Sequence, residues 1–469
     1  MGAPVTAIPR AALAPAAPWR ARRWWADAAG SAAIASVLVV TALWTAHGGI
    51  QQLDATDGGL TSLGRLAGLL SADLMLLQVL MMARIPWVER SYGQDALARR
   101  HRWFGFASFW LLVFHLVATT AGYAATGGLG IVGQLWDLVA DYPGMLLAAG
   151  GTAAIVLVVV TSVRAARRAM RYESWHLLHL YAYLGLALAL PHQLWTGADF
   201  VATPWARAYW WTLYLVAAAA VLLFRVGLPL WRTMRHRLVV DAVVPESPGV
   251  VSVHLRGRDL HRLPARPGQF LLWRFLDGPG WTRANPYSLS AGPLPDRLRI
   301  TVKDLGDGSA RLARLRPGTR VAVEGPYGVM TGTADPARPV LMLAAGIGVT
   351  VMRALLDDPD LAGRHVTLLH RVRTPGEAVF AAELADLAAR RPLYVATLPG
   401  PRPRHPSFLP AHLATGADAD ADVLRRMVPH VRDCDVYLCG PQQWMHAARR
   451  ALAAAGTPAD RIHAEQFAW

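Results

Sequence analysis

Six apolar stretches dominate the first half of this chain, at about residues 30–46, 64–83, 104–125, 145–163, 176–195 and 207–230. Each approaches the ~20 residues that a helix needs to cross ~30 Å of hydrocarbon, so six membrane spans are expected. Arginines precede the first stretch (Arg20, Arg22, Arg23) and separate the second from the third (Arg84, Arg90, Arg99, Arg100, Arg102). They recur between the fourth and fifth (Arg164, Arg167, Arg168, Arg171) and around the exit of the sixth (Arg225, Arg232, Arg235, Arg237). The alternate connections are nearly free of them and carry Asp54, Asp57, Asp137, Asp141 and Asp199 instead. By the positive-inside rule both ends of the block face the cytoplasm, across what is expected to be the plasma membrane. Tryptophans at the ends of the stretches (Trp25, Trp87, Trp103, Trp175, Trp195, Trp205) suit the lipid interface.

Composition agrees with a chain that is part bilayer and part aqueous. With 54% apolar and 17% charged residues, it is too apolar for a soluble protein throughout and too charged to be membrane from end to end. At 469 residues it exceeds one domain. The net charge of +15 divides into +9 over residues 1–238 (19 basic, 10 acidic) and +6 over the rest (28 basic, 22 acidic). No basic face with aromatic or motif support is visible, so a nucleic-acid partner is not expected. Cys434 and Cys439 are the two cysteines, too few for a cysteine-bound cluster or a disulfide scaffold.

Ionisable groups at bilayer depth call for a functional reading. The third span carries His101 and His115, and the fifth His179 and His192, 14 and 13 residues apart. Each pair is separated by roughly 20 Å along its helix. Both spans run the same way, which sets His101 level with His179 near the cytoplasm and His115 level with His192 near the outside. Two facing imidazoles at each level are what a six-coordinate haem iron needs. No C-x-x-C-H occurs, so two non-covalent b-type haems are expected. Thirteen residues leave an ideal helix off the original face, and Pro191 is the expected cause of a correction. His176 is assigned to the rim of the inner site. Asp73 reads either as a polar partner of a neighbouring helix or as a proton site, and Trp110 as packing or an electron relay.

After Arg237 the pattern becomes short alternating strands broken by Gly and Pro, expected to form an antiparallel β-barrel. From about residue 338 short apolar strands alternate with helical stretches, the pattern of a doubly wound α/β sheet. The expected organisation is therefore multi-domain. A cytoplasmic segment 1–28 leads into a six-helix transmembrane bundle at 29–237, a barrel at 238–335 and an α/β nucleotide-binding domain at 336–469. In "LMLAAGIGVT" (341–350) Gly346 and Gly348 would let a strand-to-helix turn approach a dinucleotide phosphate.

The order "RPGQFLLW" (266–273), "RANPYSLS" (283–290), "VKDLGDGS" (302–309) and "VEGPYG" (323–328) resembles the flavin domain of the ferredoxin–NADP reductase superfamily. The resemblance implies FAD, with Tyr287 on the isoalloxazine and Ser288 and Ser290 bonding ring or phosphate. Gly308 and Ser309 would offer backbone donors to the pyrophosphate. Asn285, before Pro286, stands where the wider family has arginine, so phosphate neutralisation would fall to Arg283. "LHRVR" (369–373), "YLCGP" (437–441) and the terminal "EQFAW" follow in the same family order. They imply a nicotinamide pocket at Cys439, Gly440 and Pro441, stacking of Phe467 or Trp469 on the flavin, and a 2′-phosphate contact at Arg371 or Arg373 that favours NADPH over NADH.

Taken whole, the chain resembles the NADPH oxidase and ferric reductase superfamily. That resemblance implies a transmembrane flavohaem reductase passing electrons from NADPH through FAD and two haems to an external acceptor. Thr119 stands where superoxide-forming members carry a further histidine, which leaves a ferric chelate and oxygen both open as acceptors. A flavin reductase with a membrane anchor and a haem b subunit serving a protein partner are the alternatives. The paired histidines argue against the first and the fused nucleotide domain against the second.

Overall fold

The computed structural model describes residues 24–53, 58–170, 172–278, 283–332, 335, 337–414 and 419–464. The chain divides into two compact units, Arg22–Val226 and Gly227–Trp469. Among the described residues five helices are long and apolar enough to cross a membrane: Trp24–Ala46, Gly59–Met82, Ala96–Gly127, Met145–Ser162 and Pro204–His236. The stretch expected to be the fifth of six spans is instead two shorter helices, Tyr172–His179 and Tyr181–Trp195, parted by a turn at Leu180. There the Leu180 N–H reaches both the His176 and Leu177 carbonyls, the tightened turn with which a helix ends.

Small residues set the helix spacing in the first unit, as they do where lipid removes the hydrophobic drive for helices to associate. A Cβ on Gly64 would stand 2.5 Å from Thr119 Oγ1, and one on Gly122 2.2 Å from Thr61 Oγ1, so Gly59–Met82 and Gln94–Gly127 approach closely at both places. Met145–Ser162 and Tyr181–Trp195 meet where a Cβ on Gly151 would lie 2.6 Å from the Gly185 carbonyl oxygen. Trp103, Trp110, Trp136 and Trp205 point outward and are exposed. At 65% exposure Trp110 is on the outside of its helix.

Polar side chains inside this unit have partners on other helices. Asp73 is fully buried and accepts hydrogen bonds at one oxygen from Ser36 Oγ (2.6 Å) and Tyr209 OH (3.0 Å). Asp199, also buried, accepts from Arg65 through Nε (3.0 Å) and a terminal nitrogen (2.8 Å), and from His47 Nδ1 (3.0 Å).

The second unit opens with the helix Leu228–His236, which packs on the strands after it. The Val323 N–H donates to Thr233 Oγ1 at 3.2 Å, Arg232 donates to the Gly325 carbonyl, and His236 Nδ1 donates to the Arg258 carbonyl at 2.9 Å. The second compact unit therefore begins at Gly227. Six antiparallel strands follow: β1 Val239–Ser247, β2 Val250–Arg256, β3 Phe270–Phe275, β4 Asn285–Ser288, β5 Arg297–Lys303 and β6 Val321–Tyr327. They pair as two sheets, β1-β2-β5 and β4-β3-β6, and the bridges Val239 to Arg320 and Leu289 to Ile300 join the sheets edge to edge. Leu271, Trp273, Leu289 and Ile300 are completely buried between them, each worth about 1.5–3 kcal/mol of apolar burial.

Five parallel strands then form a sheet in the order β11-β10-β7-β8-β9. They are β7 Val340–Ala345, β8 Val366–Val372, β9 Leu393–Pro399, β10 Asp435–Cys439 and β11 Ile462–Ala464. Winding proceeds outward from β7 to β9 and then restarts on the other side of β7, so the chain reverses between β7 and β10. In open α/β sheets such a reversal opens a crevice at the carboxyl ends of the two strands. Charged side chains tie this sheet to the antiparallel strands: Arg266 holds Asp358 (3.0 Å) and Asp360 (2.6 Å), and Arg299 holds Glu383 (3.0 Å).

His370, on β8, is 1% exposed and gives its Nε2 proton to the Gly346 carbonyl at 3.0 Å. Burial holds its imidazole below the ordinary 6.5. Below pH 6.5 the unfolded chain therefore binds a proton that the folded chain refuses, and stability falls with pH until the folded value is passed. Thermal unfolding of the second unit should drop between pH 7.5 and 5.5, and His370→Gln should narrow that gap. An unchanged gap would mean that His370 does not carry it.

Candidate functional site

In the helical unit the structure brings His101 and His179 face to edge, with ring centroids 5.9 Å apart. Metal–imidazole bonds of about 2.0–2.1 Å to one nitrogen of each ring set centroids on the order of 6 Å apart. This pair lies toward the arginine-rich end of the helices, beside Arg99, Arg100 and Arg102. His115 and His192 stand further along, one on Gln94–Gly127 and the other on Tyr181–Trp195. Between His179 and His192 the turn at Leu180 keeps right-handed helical angles, φ −66° and ψ −18°. Pro191 sits inside the second segment without ending it.

Each outer histidine commits one nitrogen to a backbone carbonyl. His115 Nδ1 donates to the Gly64 carbonyl at 2.8 Å and His192 Nδ1 to that of Ala189 at 2.5 Å. This leaves Nε2 as a lone-pair donor on each, the arrangement of metal-ligating histidine. Gly68 makes room for the ring: a Cβ there would lie 2.7 Å from His115 Nδ1. Thr119 Oγ1, one turn along, is 3.4 Å from the same nitrogen.

Partners at the inner level are weaker. His179 Nδ1 faces the Ser162 hydroxyl oxygen at 3.3 Å, which also accepts from Trp175 Nε1 at 3.3 Å. The Trp175 ring packs on His179 at 5.0 Å, with the Arg167 guanidinium 4.3 Å over its other neighbourhood. His101 Nδ1 is buried, and the Gln78 backbone beside the ring does not complete a hydrogen bond to it. Two facing pairs of neutral-capable imidazoles, one with an orphaned buried nitrogen and one cradled by a missing Cβ, fit b-type haem iron at both levels. Among the described residues no group of three or more His, Cys, Asp or Glu is placed to hold a metal ion by itself.

In the second unit Tyr287 lies on β4 with its carbonyl accepting from Trp273 Nε1 at 2.9 Å. It is half-buried, and burial pushes its phenol up to about 12, so the hydroxyl stays protonated. Asn285 Oδ1 stands 3.6 Å from where a Cβ on Gly308 would be, which brings the "RANPYSLS" strand beside the Gly308 turn. Arg283 is exposed, while Pro286 and Ser288 are half-buried on the same strand. Ser290 is turned into the core, 0% exposed, with its hydroxyl accepting from Thr301 at 2.8 Å. Ser309 Oγ is engaged in its own turn, accepting from the Leu305 N–H at 2.7 Å and donating to the Gly306 carbonyl at 2.9 Å.

At the β7/β10 crevice Gly346 has φ +55°, in the left-handed region that favours glycine. A Cβ on Gly348 would lie 2.3 Å from the Cys439 carbonyl oxygen, and one on Gly440 2.8 Å from the Trp444 ring. The two strand ends are thus pressed together with no room for side chains. Cys439 is buried, and the Pro441 carbonyl accepts from the Met445 N–H at 2.9 Å to start the helix Gln442–Ala454. Arg371 is also buried. Its guanidinium donates to the Pro401 carbonyl (2.9 Å), the Leu398 carbonyl (3.3 Å) and that of Val372, so it braces the strand ends. Arg373 is exposed nearby. Phe467 and Trp469 lie outside the described residues. The sequence reading passed over His370, whose grip on the Gly346 carbonyl left no signal beyond a histidine at the end of an apolar strand.

Comparison with known proteins divides along the same line. Residues 67–190 match the family described as ferric reductase like transmembrane component, a stretch holding His101, His115 and His179 and ending just before His192. A flavohemoprotein of Bordetella pertussis is 32% identical over 259 residues, covering 50% of this chain and 60% of that protein. The ferredoxin reductase component of a 3-ketosteroid-9-alpha-monooxygenase from Mycolicibacterium smegmatis is 35% identical over 217 residues, covering 44% and 56%. The chain thus spans about 60% of the length of such curated relatives or less. The flavohem-like FAD/NAD binding domain of a Vibrio cholerae nitric oxide dioxygenase aligns over 50% of this chain and 99% of that one, at 26% identity and a TM-score of 0.39. This chain thus carries a stretch similar to the ferric reductase like transmembrane component and a part similar to flavohemoproteins and to a ferredoxin reductase component.

Proposed function

We propose that this protein is a transmembrane oxidoreductase carrying electrons from cytoplasmic NADPH, through FAD and two b-type haems, to an acceptor on the far side of the plasma membrane. The observation that carries the reading is the two levels of facing histidines in one unit, His101 with His179 and His115 with His192. Six spans with both termini cytoplasmic accompany it, the split pair Tyr172–His179 and Tyr181–Trp195 serving as the fifth.

FAD takes up a hydride as two electrons and releases them singly, and haem takes them one at a time. The chain's own residues hold and orient these groups. His101 with His179 and His115 with His192 would hold the two haem irons. Tyr287 packs on the flavin ring, Arg283 and the backbone at Gly308 and Ser309 hold its phosphates, and Ser288 bonds ring or phosphate. Gly346 and Gly348 let the backbone approach the nucleotide phosphates, while Cys439, Gly440 and Pro441 form the nicotinamide end. Because Arg371 is spent on three carbonyls, the exposed Arg373 is the better candidate for a 2′-phosphate. Oxygen and a ferric chelate are both reasonable acceptors beside Thr119.

The test is a reduced-minus-oxidised spectrum of the purified protein, followed by anaerobic NADPH and then oxygen or a ferric chelate. A b-type spectrum that NADPH develops and the acceptor discharges is expected. Absence of haem, or haem that stays oxidised beside reduced flavin, would refute the reading. His115→Leu should leave flavin reduction intact and abolish outward transfer.

Gly348→Ala forces the β7 turn away from the Cys439 carbonyl. It should raise KM for NADPH about tenfold, ~1.4 kcal/mol, and leave the haem spectrum unaltered. An unchanged KM in stopped-flow flavin reduction would remove that turn from the nucleotide site.

A further inference from the structure

The two histidine levels differ in what holds the nitrogen that faces away from the partner ring. At the outer level both Nδ1 protons go to backbone carbonyls, at 2.8 Å for His115 and 2.5 Å for His192. At the inner level His179 has only the Ser162 hydroxyl at 3.3 Å, beyond the usual 2.7–3.2 Å range, and that oxygen is shared with Trp175. His101 Nδ1 has only the Gln78 backbone beside it, short of full hydrogen-bond geometry. An imidazole whose N–H is drawn to a carbonyl is more basic at its other nitrogen, and a stronger donor favours the oxidised metal. A weakly bonded imidazole favours the reduced one.

Fixed charge acts in the same direction. Arg99, Arg100 and Arg102 flank His101, and Arg167 stacks over Trp175, which packs on His179. Positive charge nearby favours the less positive, reduced ion. At the outer level the cation Arg65 is cancelled by Asp199, which takes two of its donors at 3.0 and 2.8 Å.

Building on the proposed two-haem reading, we infer that the inner level, ligated by His101 and His179, is the higher-potential haem site and that Ser162 is its positioning residue. With haem bound, the site of His101 and His179 would retain a single electron more readily than the site of His115 and His192, and one-electron transfer between them, which makes and breaks no bond, would run uphill toward the acceptor.

The experiment is a spectroelectrochemical titration of the full-length, haem-loaded protein, with Ser162→Ala and Ser162→Asn alongside. Two waves are expected. Ser162→Ala, which removes the weak acceptor, should move the higher wave further up. Ser162→Asn, which supplies an amide oxygen, should move it down by about tenfold in the oxidised-to-reduced ratio, ~59 mV for one electron. The lower wave should stay in place in both. If either folded variant shifts the lower wave, or neither shifts any, the assignment is overturned. Loss of all b-type absorbance in the unsubstituted protein would instead refute the haem reading itself, a separate outcome.

Discussion

A buried imidazole in an apolar helix bundle must place its N–H somewhere, because an unsatisfied polar group in hydrocarbon costs several kcal/mol. That requirement organises the first unit. His115 meets it by reaching across to the Gly64 carbonyl of the neighbouring helix, which is possible only because Gly64 and Gly68 let that helix come close. His192 meets it within its own segment, on the Ala189 carbonyl. Once Nδ1 is committed, the tautomer is fixed and Nε2 is left with a lone pair. The direction of these imidazoles is thus a consequence of helix packing, and the close packing is allowed by small residues at the crossing.

The second unit works by the same logic at a different interface. The crevice between β7 and β10 exists because the parallel sheet reverses its winding there. Its width is set by residues that contribute no side chain: Gly348 against the Cys439 carbonyl and Gly440 against Trp444. His370 and Arg371, neighbours on β8, then hold the surrounding loops by their carbonyls, one at Gly346 and the other at Pro401 and Leu398. Two residues that look like candidates for ligand chemistry are structural braces around the place where a ligand would lie.

Hydropathy and spacing made much of this legible. The arginine-bounded stretches led to an expectation of six spans, of which five are long apolar helices, and short apolar strands alternating with helical stretches foretold the parallel sheet. What sequence could not carry was side-chain direction. Ser290 belongs to a family-like motif yet faces inward to Thr301, because the strand Asn285–Ser288 ends before it and the chain past the Leu289 bridge to Ile300 runs into the core. Arg371 is likewise committed by its position on a buried strand. Nor is the turn at Leu180 marked by Gly or Pro.

Acids inside the bundle complete the electrostatic picture, and the two are neutralised by different means. Asp199 meets a formal cation, and Arg65 and His47 surround both of its oxygens. Asp73 meets only hydroxyls, and both Ser36 and Tyr209 converge on one oxygen while the other is buried without a partner. Asp199 is thus held by a cation and Asp73 by hydroxyls from two other helices, so each acid ties neighbouring helices together by a different means.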